Sequence, residues 1–187
     1  MINQKLVSIY KSKISNLLSE IDIKKVNFLA SKIKEKKLKK KNIFIFGNGG
    51  SSSTANHFAV DMTKNAKINV TSFSNDNLIT CYANDYGYEN WTKNIIKTSV
   101  KRNDLVIFVS CSGNSSNVVN ASKYCKRKNI YTYSLTGMDK NNKLNRVSNS
   151  YFWVNSKAYN QIEIIHHVFL LMIVDILIGK DVYKSNM

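Results

Sequence analysis

The chain has no proline, only 7 glycines in 187 residues, and 3 cysteines. Without proline, turns and helix starts fall to glycine, asparagine and serine. Cys81, Cys111 and Cys125 are too few and too scattered for a disulfide frame or a zinc knuckle, which points to a reducing, cytoplasmic setting. The opening residues Met1 to Leu6 lack the apolar stretch of a secretory signal. The longest apolar run, Val168 to Ile178, is broken by Asp175 and is too short to cross a bilayer, so it reads as a buried helix with no membrane role. Acidic residues are also scarce, 12 against 28 lysines and arginines, for a net charge of +16. The densest basic stretch, Lys34-Glu35-Lys36-Lys37-Leu38-Lys39-Lys40-Lys41, would suit nucleic acid or an anionic surface. Lysine and asparagine are abundant throughout, however, and no aromatic residues interleave with the cluster. Lysines also complement the negative end of a helix dipole, so a nucleic-acid role is not expected.

Leu6, Ile9, Tyr10, Ile14, Leu17, Leu18 and Ile21 recur at helical spacing, and beyond the cap residue Asp22 a second helix carries Val26, Leu29 and Ile33. Residues 1–41 are therefore expected to form a helical hairpin. From Asn42 the pattern changes to five short β-rich runs, Ile43-Phe46, Asn69-Phe73, Leu105-Val109, Ile130-Leu135 and Tyr151-Val154, alternating with helices. That alternation predicts an α/β three-layer sandwich around a five-stranded parallel sheet over 42–187, ending in a long helix. One domain spanning 1–187 is long enough to bury roughly two-thirds of its unfolded surface.

Two strand-to-helix turns carry the chemistry. In Gly47-Asn48-Gly49-Gly50-Ser51-Ser52-Ser53 an apolar strand enters glycines and leaves as a helix, a junction able to hold a phosphate on free N–H groups. The second turn, Ser110-Cys111-Ser112-Gly113-Asn114-Ser115, follows Leu105-Val109 in the same way. The first turn lacks a dinucleotide fingerprint's third glycine, and no Gly-Lys-Ser/Thr closes it. The hydroxyls of Ser51, Ser52, Ser53, Ser110, Ser112 and Ser115 suit a phosphate monoester. In a parallel sheet both turns, with Asn84-Asp85, would meet beyond the carboxyl ends of the strands.

His57 and Asp61 lie four apart on the helix after the first turn, and Glu163 and His167 share that spacing on the last helix. The four would make a metal site or an acid–base set. His166 also reaches that side from Glu163, but of two adjacent histidines His167 is preferred. Glu89 and Asp104 are read as a helix-start and a strand-edge carboxylate. The apolar face Ile165, Val168, Phe169, Met172, Ile173 and Ile176 exceeds what one sheet covers and suggests packing between subunits.

Gly47-Asn48-Gly49-Gly50-Ser51, His57-Phe58-Ala59, Ala83-Asn84-Asp85-Tyr86-Gly87 and Ser110-Cys111-Ser112-Gly113-Asn114-Ser115 together resemble the sugar isomerase (SIS) family, and within it the phosphoheptose isomerase group. The resemblance implies a flavodoxin-like SIS fold. It also implies conversion of sedoheptulose 7-phosphate to D-glycero-D-manno-heptose 7-phosphate for bacterial surface polysaccharide, by a homotetramer with active sites at subunit interfaces. It implies that Asn48, Gly49, Gly50, Ser51, Asn84 and Asp85 contact substrate along with Asp61 and Glu163, that Ser110, Cys111, Ser112 and Ser115 cradle the phosphate, and that His57 is a zinc ligand. One zinc per subunit, held by His57, Asp61, Glu163 and His167, is the corresponding expectation, with Asp61, Glu163 and His167 catalytic.

Three positions depart from the group. Asp61 stands where those enzymes carry glutamate. If His166 is aligned with their first last-helix histidine, Glu163 falls at a glutamine and Leu171 at the catalytic histidine. Leucine transfers no proton, so Asp61 or Glu163 is expected as base and His167 as acid or metal ligand. A rival expectation is a non-catalytic phosphosugar sensor or scaffold of the same fold, as in replication-initiator-associating proteins that resemble these isomerases.

Overall fold

A computed structural model describes residues 3–181. Thirteen elements follow in order: α1 (Gln4–Ser19), α2 (Ile23–Leu38), β1 (Ile43–Gly47), α3 (Gly50–Lys64), β2 (Val70–Ser72), α4 (Asp76–Tyr86), α5 (Trp91–Ser99), β3 (Leu105–Ser110), α6 (Ser116–Arg127), β4 (Tyr131–Thr136), α7 (Lys143–Val147), β5 (Ser150–Trp153) and α8 (Tyr159–Ile178).

All five strands pair in parallel in the order β2-β1-β3-β4-β5, with Ile43 opposite Leu105 and Leu105 opposite Tyr131. The order reverses between β1 and β3, and at such a switch point the two strands' helices leave on opposite faces and open a crevice at the carboxyl ends. Strand alternation builds the two cores. Ile43, Ile45, Leu105, Ile107, Val109, Tyr133 and Leu135 face α2, α3 and α8, while Phe44, Phe46, Val106 and Phe108 face α5 and α6. On β4, Thr132, Ser134 and Thr136 take the second face and are buried, their hydroxyls donating to Asn149 or Asn145.

Each N-terminal helix packs on α8. Leu17 and Leu18 join the core, whereas Leu6, Val7, Ile9 and Tyr10 at the start of α1 stay exposed. The basic stretch does structural work: Glu35 receives Lys32 at 3.2 Å and Lys39 at 2.8 Å, which hold its carboxyl down at about 2. Lys36, largely covered, donates Nζ–H to the Asn103 carbonyl at 2.8 Å and ties α2 to the loop before β3.

α8 corrects one expectation. Its apolar character runs over the whole of Tyr159–Ile178, 20 residues and long enough to cross a membrane by length and composition. The helix instead buries Ile162, Ile165, Phe169, Leu170, Ile173 and Val174 in the core, and it carries Glu163, His166, His167 and Asp175. Of the face expected between subunits, Ile165, Phe169 and Ile173 point inward, while Met172 and Ile176 remain exposed.

Candidate active site

The first turn is shaped by Gly49, whose φ of 52° and ψ of −126° lie outside the range of ordinary side chains. It lets α3 begin directly beneath β1, with Ser52 and Ser53 N–H groups bonded back to the Gly49 carbonyl. Gly50 meets Glu163 from α8: a Cβ on Gly50 would lie 2.5 Å from Glu163 Oε1 and 2.7 Å from Oε2. The positive end of α3 is therefore filled by the protein's own carboxylate. A phosphate at this turn would face Glu163 at short range.

The second turn is shaped by a glycine of its own. Gly113, at φ 61°, closes it by donating its N–H to the Ser110 carbonyl at 3.1 Å. Its missing side chain admits Asn142, whose Oδ1 would be 2.1 Å from a Cβ. Ser115 caps α6 without a side-chain cap bond, and its Oγ lies 3.4 Å from Ser110 Oγ. Ser112 Oγ accepts from the Asn114 N–H at 3.2 Å. The turn thus carries three hydroxyls just before the first N–H groups of a 12-residue helix.

The two turns are cross-linked. Asn48 and Asn117 exchange side-chain amide hydrogen bonds at 2.9 and 3.0 Å, and Asn117 Nδ2 also donates to Thr92 Oγ1 at 3.0 Å. Asn117 is fully buried. Asn48 was expected to contact substrate, but its amide is committed to this pair. A buried asparagine two residues past Ser115 is the signal that would have revealed the partner, since such a group must find hydrogen bonds. Beside it, Ser51 Oγ and Cys111 Sγ are 3.8 Å apart, and Cys111 Sγ is 3.9 Å from Glu163 Oε1.

The titratable residues divide into two layers along the groove where α3 and α8 run side by side. Gly50 with Glu163 and Thr54 with His167 are both 113 residues apart in sequence, the mark of two parallel helices in register. Glu163 occupies the rim. One turn deeper, about 5.4 Å along the axis, His167 Nδ1 lies 3.4 Å from Thr54 Oγ1 and its ring meets that of His57 edge-on at 4.7 Å. His57 Nε2 sits 3.1 Å from Asp61 Oδ2, and Asp61 Oδ1 accepts from Asn65 at 3.1 Å. Burial and the neighbouring His57 push His167 below its ordinary pKa, against a smaller pull from Asp61.

Of the four residues expected to hold zinc, His57, Asp61 and His167 neighbour one another and Glu163 stands apart. Two imidazoles and a carboxylate are ordinary zinc donors, but His57 spends Nε2 on Asp61, His167 turns Nδ1 to Thr54, and Glu163 lies a turn away. Among the described residues no three His, Cys, Asp or Glu side chains converge as a ligand shell would require.

His166 points into the core. Its Nε2 lies 3.1 Å from the Thr136 carbonyl, and burial drives its pKa down to about 4, so the neutral ring donates from Nε2. Asn84 and Asp85 are exposed on α4. Asn84 donates to Asp85 at 3.1 Å and Asp85 faces Cys81, so neither bonds to the two turns. Glu89 takes an N–H from Asn90, and Asp104 accepts N–H groups from Asn42 and Lys101 at 2.9 and 2.7 Å, which makes it the strand-edge carboxylate the sequence suggested.

Comparison with known proteins agrees with this geometry. The SIS domain family model matches residues 9–137. A phosphoheptose isomerase of Fusobacterium nucleatum is 31% identical over 179 residues, covering 91% of this chain and 92% of that protein. One from Aliarcobacter butzleri is 34% identical over 147 residues, covering 75% and 77%. Among solved structures, the phosphoheptose isomerase of Neisseria gonorrhoeae superposes with a TM-score of 0.86 at 22% identity, covering 93% of this chain and 97% of that one. The one from Francisella tularensis gives 0.87 at 18% identity, with 96% and 100% covered. With its switch-point crevice, its two serine turns and these relatives, the chain belongs to the SIS domain family, as a divergent member of the phosphoheptose isomerase group.

Proposed function

We propose that this chain, an isomerase of phosphorylated sugars by its family, interconverts sedoheptulose 7-phosphate and D-glycero-D-manno-heptose 7-phosphate in the cytoplasm, supplying heptose for a bacterial surface polysaccharide. One observation carries the reading: the Glu163 carboxylate is held against Gly50 at the rim, beside a serine-lined helix start suited to a phosphate.

The phosphate seats on Ser110, Ser112, Ser115 and the first N–H groups of α6, which fixes the far end of the sugar. Glu163 takes a proton from C1 of the ketose as the C2 carbonyl oxygen gains one, giving the 1,2-enediol. Loss of the proton on O1 and delivery of a proton to C2 then complete the aldose. His167, on the same face of α8 one turn along, is the proton donor. Asp61 is tied to His57 and Asn65, so Glu163 rather than Asp61 is the base.

The enzyme assembles as a homo-oligomer, most economically a tetramer. The exposed stripe Leu6, Val7, Ile9 and Tyr10 on α1, with Ile164, Met172 and Ile176 on α8, supplies the apolar surface. Light scattering on purified protein checks the assembly.

Turnover of sedoheptulose 7-phosphate, followed by exchange of the C1 proton with solvent deuterium, tests the function. Glu163→Gln is expected to lower kcat at least about 100-fold while inorganic phosphate still binds. Wild-type protein that exchanges no proton, yet binds nucleic acid in a salt-sensitive way, would establish the scaffold reading instead.

A further inference from the structure

Cys111 sits in the phosphate loop, but its side chain is engaged elsewhere. It follows β3 directly, is 4% exposed, and its carbonyl accepts the Gly137 N–H at 2.9 Å, which pins the residue to the end of β4. From this fixed backbone Sγ lies 3.8 Å from Ser51 Oγ and 3.9 Å from Glu163 Oε1. Gly50, which has no Cβ, lies against the same carboxylate, so the Glu163 head group neighbours both a bare backbone and a thiol.

A thiol here carries its proton. Burial, and to a lesser degree the charge of Glu163, push it up to about 11, so at neutral pH it is an S–H donor facing a carboxylate. An S–H bond is a weak one, so its contribution is to direction more than to stability. Cys125, deeper in the core at the end of α6, shows the contrasting case: it is fully buried in apolar surroundings and faces no carboxylate.

We propose that Cys111 is a positioning residue for Glu163, so that the loop seating the substrate phosphate also aims the base at the reacting carbon. The proposal rests on Glu163 acting as the base. One rigid segment, Ser110 to Ser115, then fixes both ends of the reaction geometry: hydroxyls and N–H groups at the phosphate, and the Cys111 thiol at the carboxylate.

The contact and its consequence are tested separately. The S–H stretching band that disappears from the Raman spectrum in Cys111→Ser belongs to Cys111, and it is expected to move to higher frequency in Glu163→Ala, where its acceptor is gone. A band that does not move overturns the proposal. In turnover of sedoheptulose 7-phosphate, Cys111→Ala is expected to lower kcat by about 10- to 100-fold with KM within about twofold. Cys111→Ser, which keeps a donor on a shorter bond, recovers most of that loss. Cys111→Ala with wild-type kcat also overturns it. Full activity in Glu163→Gln removes the base assignment instead, a result the Raman measurement does not depend on.

Discussion

Gly50→Ala separates activity from stability. A Cβ at this position would stand 2.5 Å from Glu163 Oε1 and 2.7 Å from Cδ, against an ordinary contact of 3.4 Å or more. The carboxylate must therefore retreat by about 0.7–0.9 Å. The obstacle is the far end of a flexible side chain, so the fold can give way there cheaply. Gly50 is the first residue of α3 and is not among the positive-φ glycines, and alanine is favoured over glycine in a helix interior by about 1 kcal/mol, less at the first turn. The melting temperature should hold or rise slightly. Displacing a reacting group by about 1 Å costs on the order of 100-fold in rate, so kcat for sedoheptulose 7-phosphate should fall by that order while inorganic phosphate binds as before. Gly49→Ala is the control: nothing lies within 4 Å of its Cβ, but φ is 52°, so it should cost about 1–3 kcal/mol of stability through backbone strain. Wild-type kcat in Gly50→Ala would refute the assignment of Glu163 to this position.

Stability should also report His166. Its folded pKa of about 4 lies below the ordinary 6.5, so folding favours the neutral ring, and the stabilisation is complete above about pH 6.5 and lost as pH falls towards 4. Urea unfolding at pH 7 and pH 5 should differ by about 2 kcal/mol on this account, and His166→Phe should remove that part of the difference. Asn117→Ala breaks the amide pair with Asn48 and the bond to Thr92, which should cost about 2–3 kcal/mol in urea unfolding and weaken inorganic phosphate binding by calorimetry. Leu171→His adds an imidazole one turn beyond His167 on the same face and should raise zinc affinity by at least about 10-fold in competition with a chelating dye; unchanged affinity would show that this groove cannot gather a ligand shell.

The sheet was legible because each strand holds β-branched or aromatic residues in a short stretch bounded by polar turns, and all five expected runs overlap observed strands. The long last helix was expected with Glu163 and His167 on it, but its apolar run was counted only from Val168, because Glu163, His166 and His167 interrupt the hydrophobicity before that point. Both serine turns were visible from glycine and serine alone. Their division of labour was not, because nothing in Gly47 to Ser53 shows that a side chain from α8 already covers the start of α3. Periodicity placed His57 and Asp61 on one face, and Glu163 and His167 on another, but left open how far one helix slides along its neighbour. That slide decides which residues meet: it sets Glu163 opposite Gly50 and His167 opposite Thr54.

The same slide gives Leu171 a physical meaning. In the group this chain resembles, the resemblance puts a glutamine at the position of Glu163 and a histidine at that of Leu171. Here a carboxylate stands at Glu163 and an apolar side chain at Leu171, with His57, Asp61 and His167 along the same groove. A carboxylate at the rim needs two things a neutral amide does not: compensation for its charge, and room. The N-terminus of α3 supplies the first through its dipole, and the absence of a side chain at Gly50 supplies the second. With that carboxylate beside the start of α3, a second anion there would be repelled, which is why the proposed function seats the phosphate on the α6 turn. A carboxylate on α8 beside the start of α3 thus separates two similar turns, and under the proposed function it favours the α6 turn as the phosphate seat.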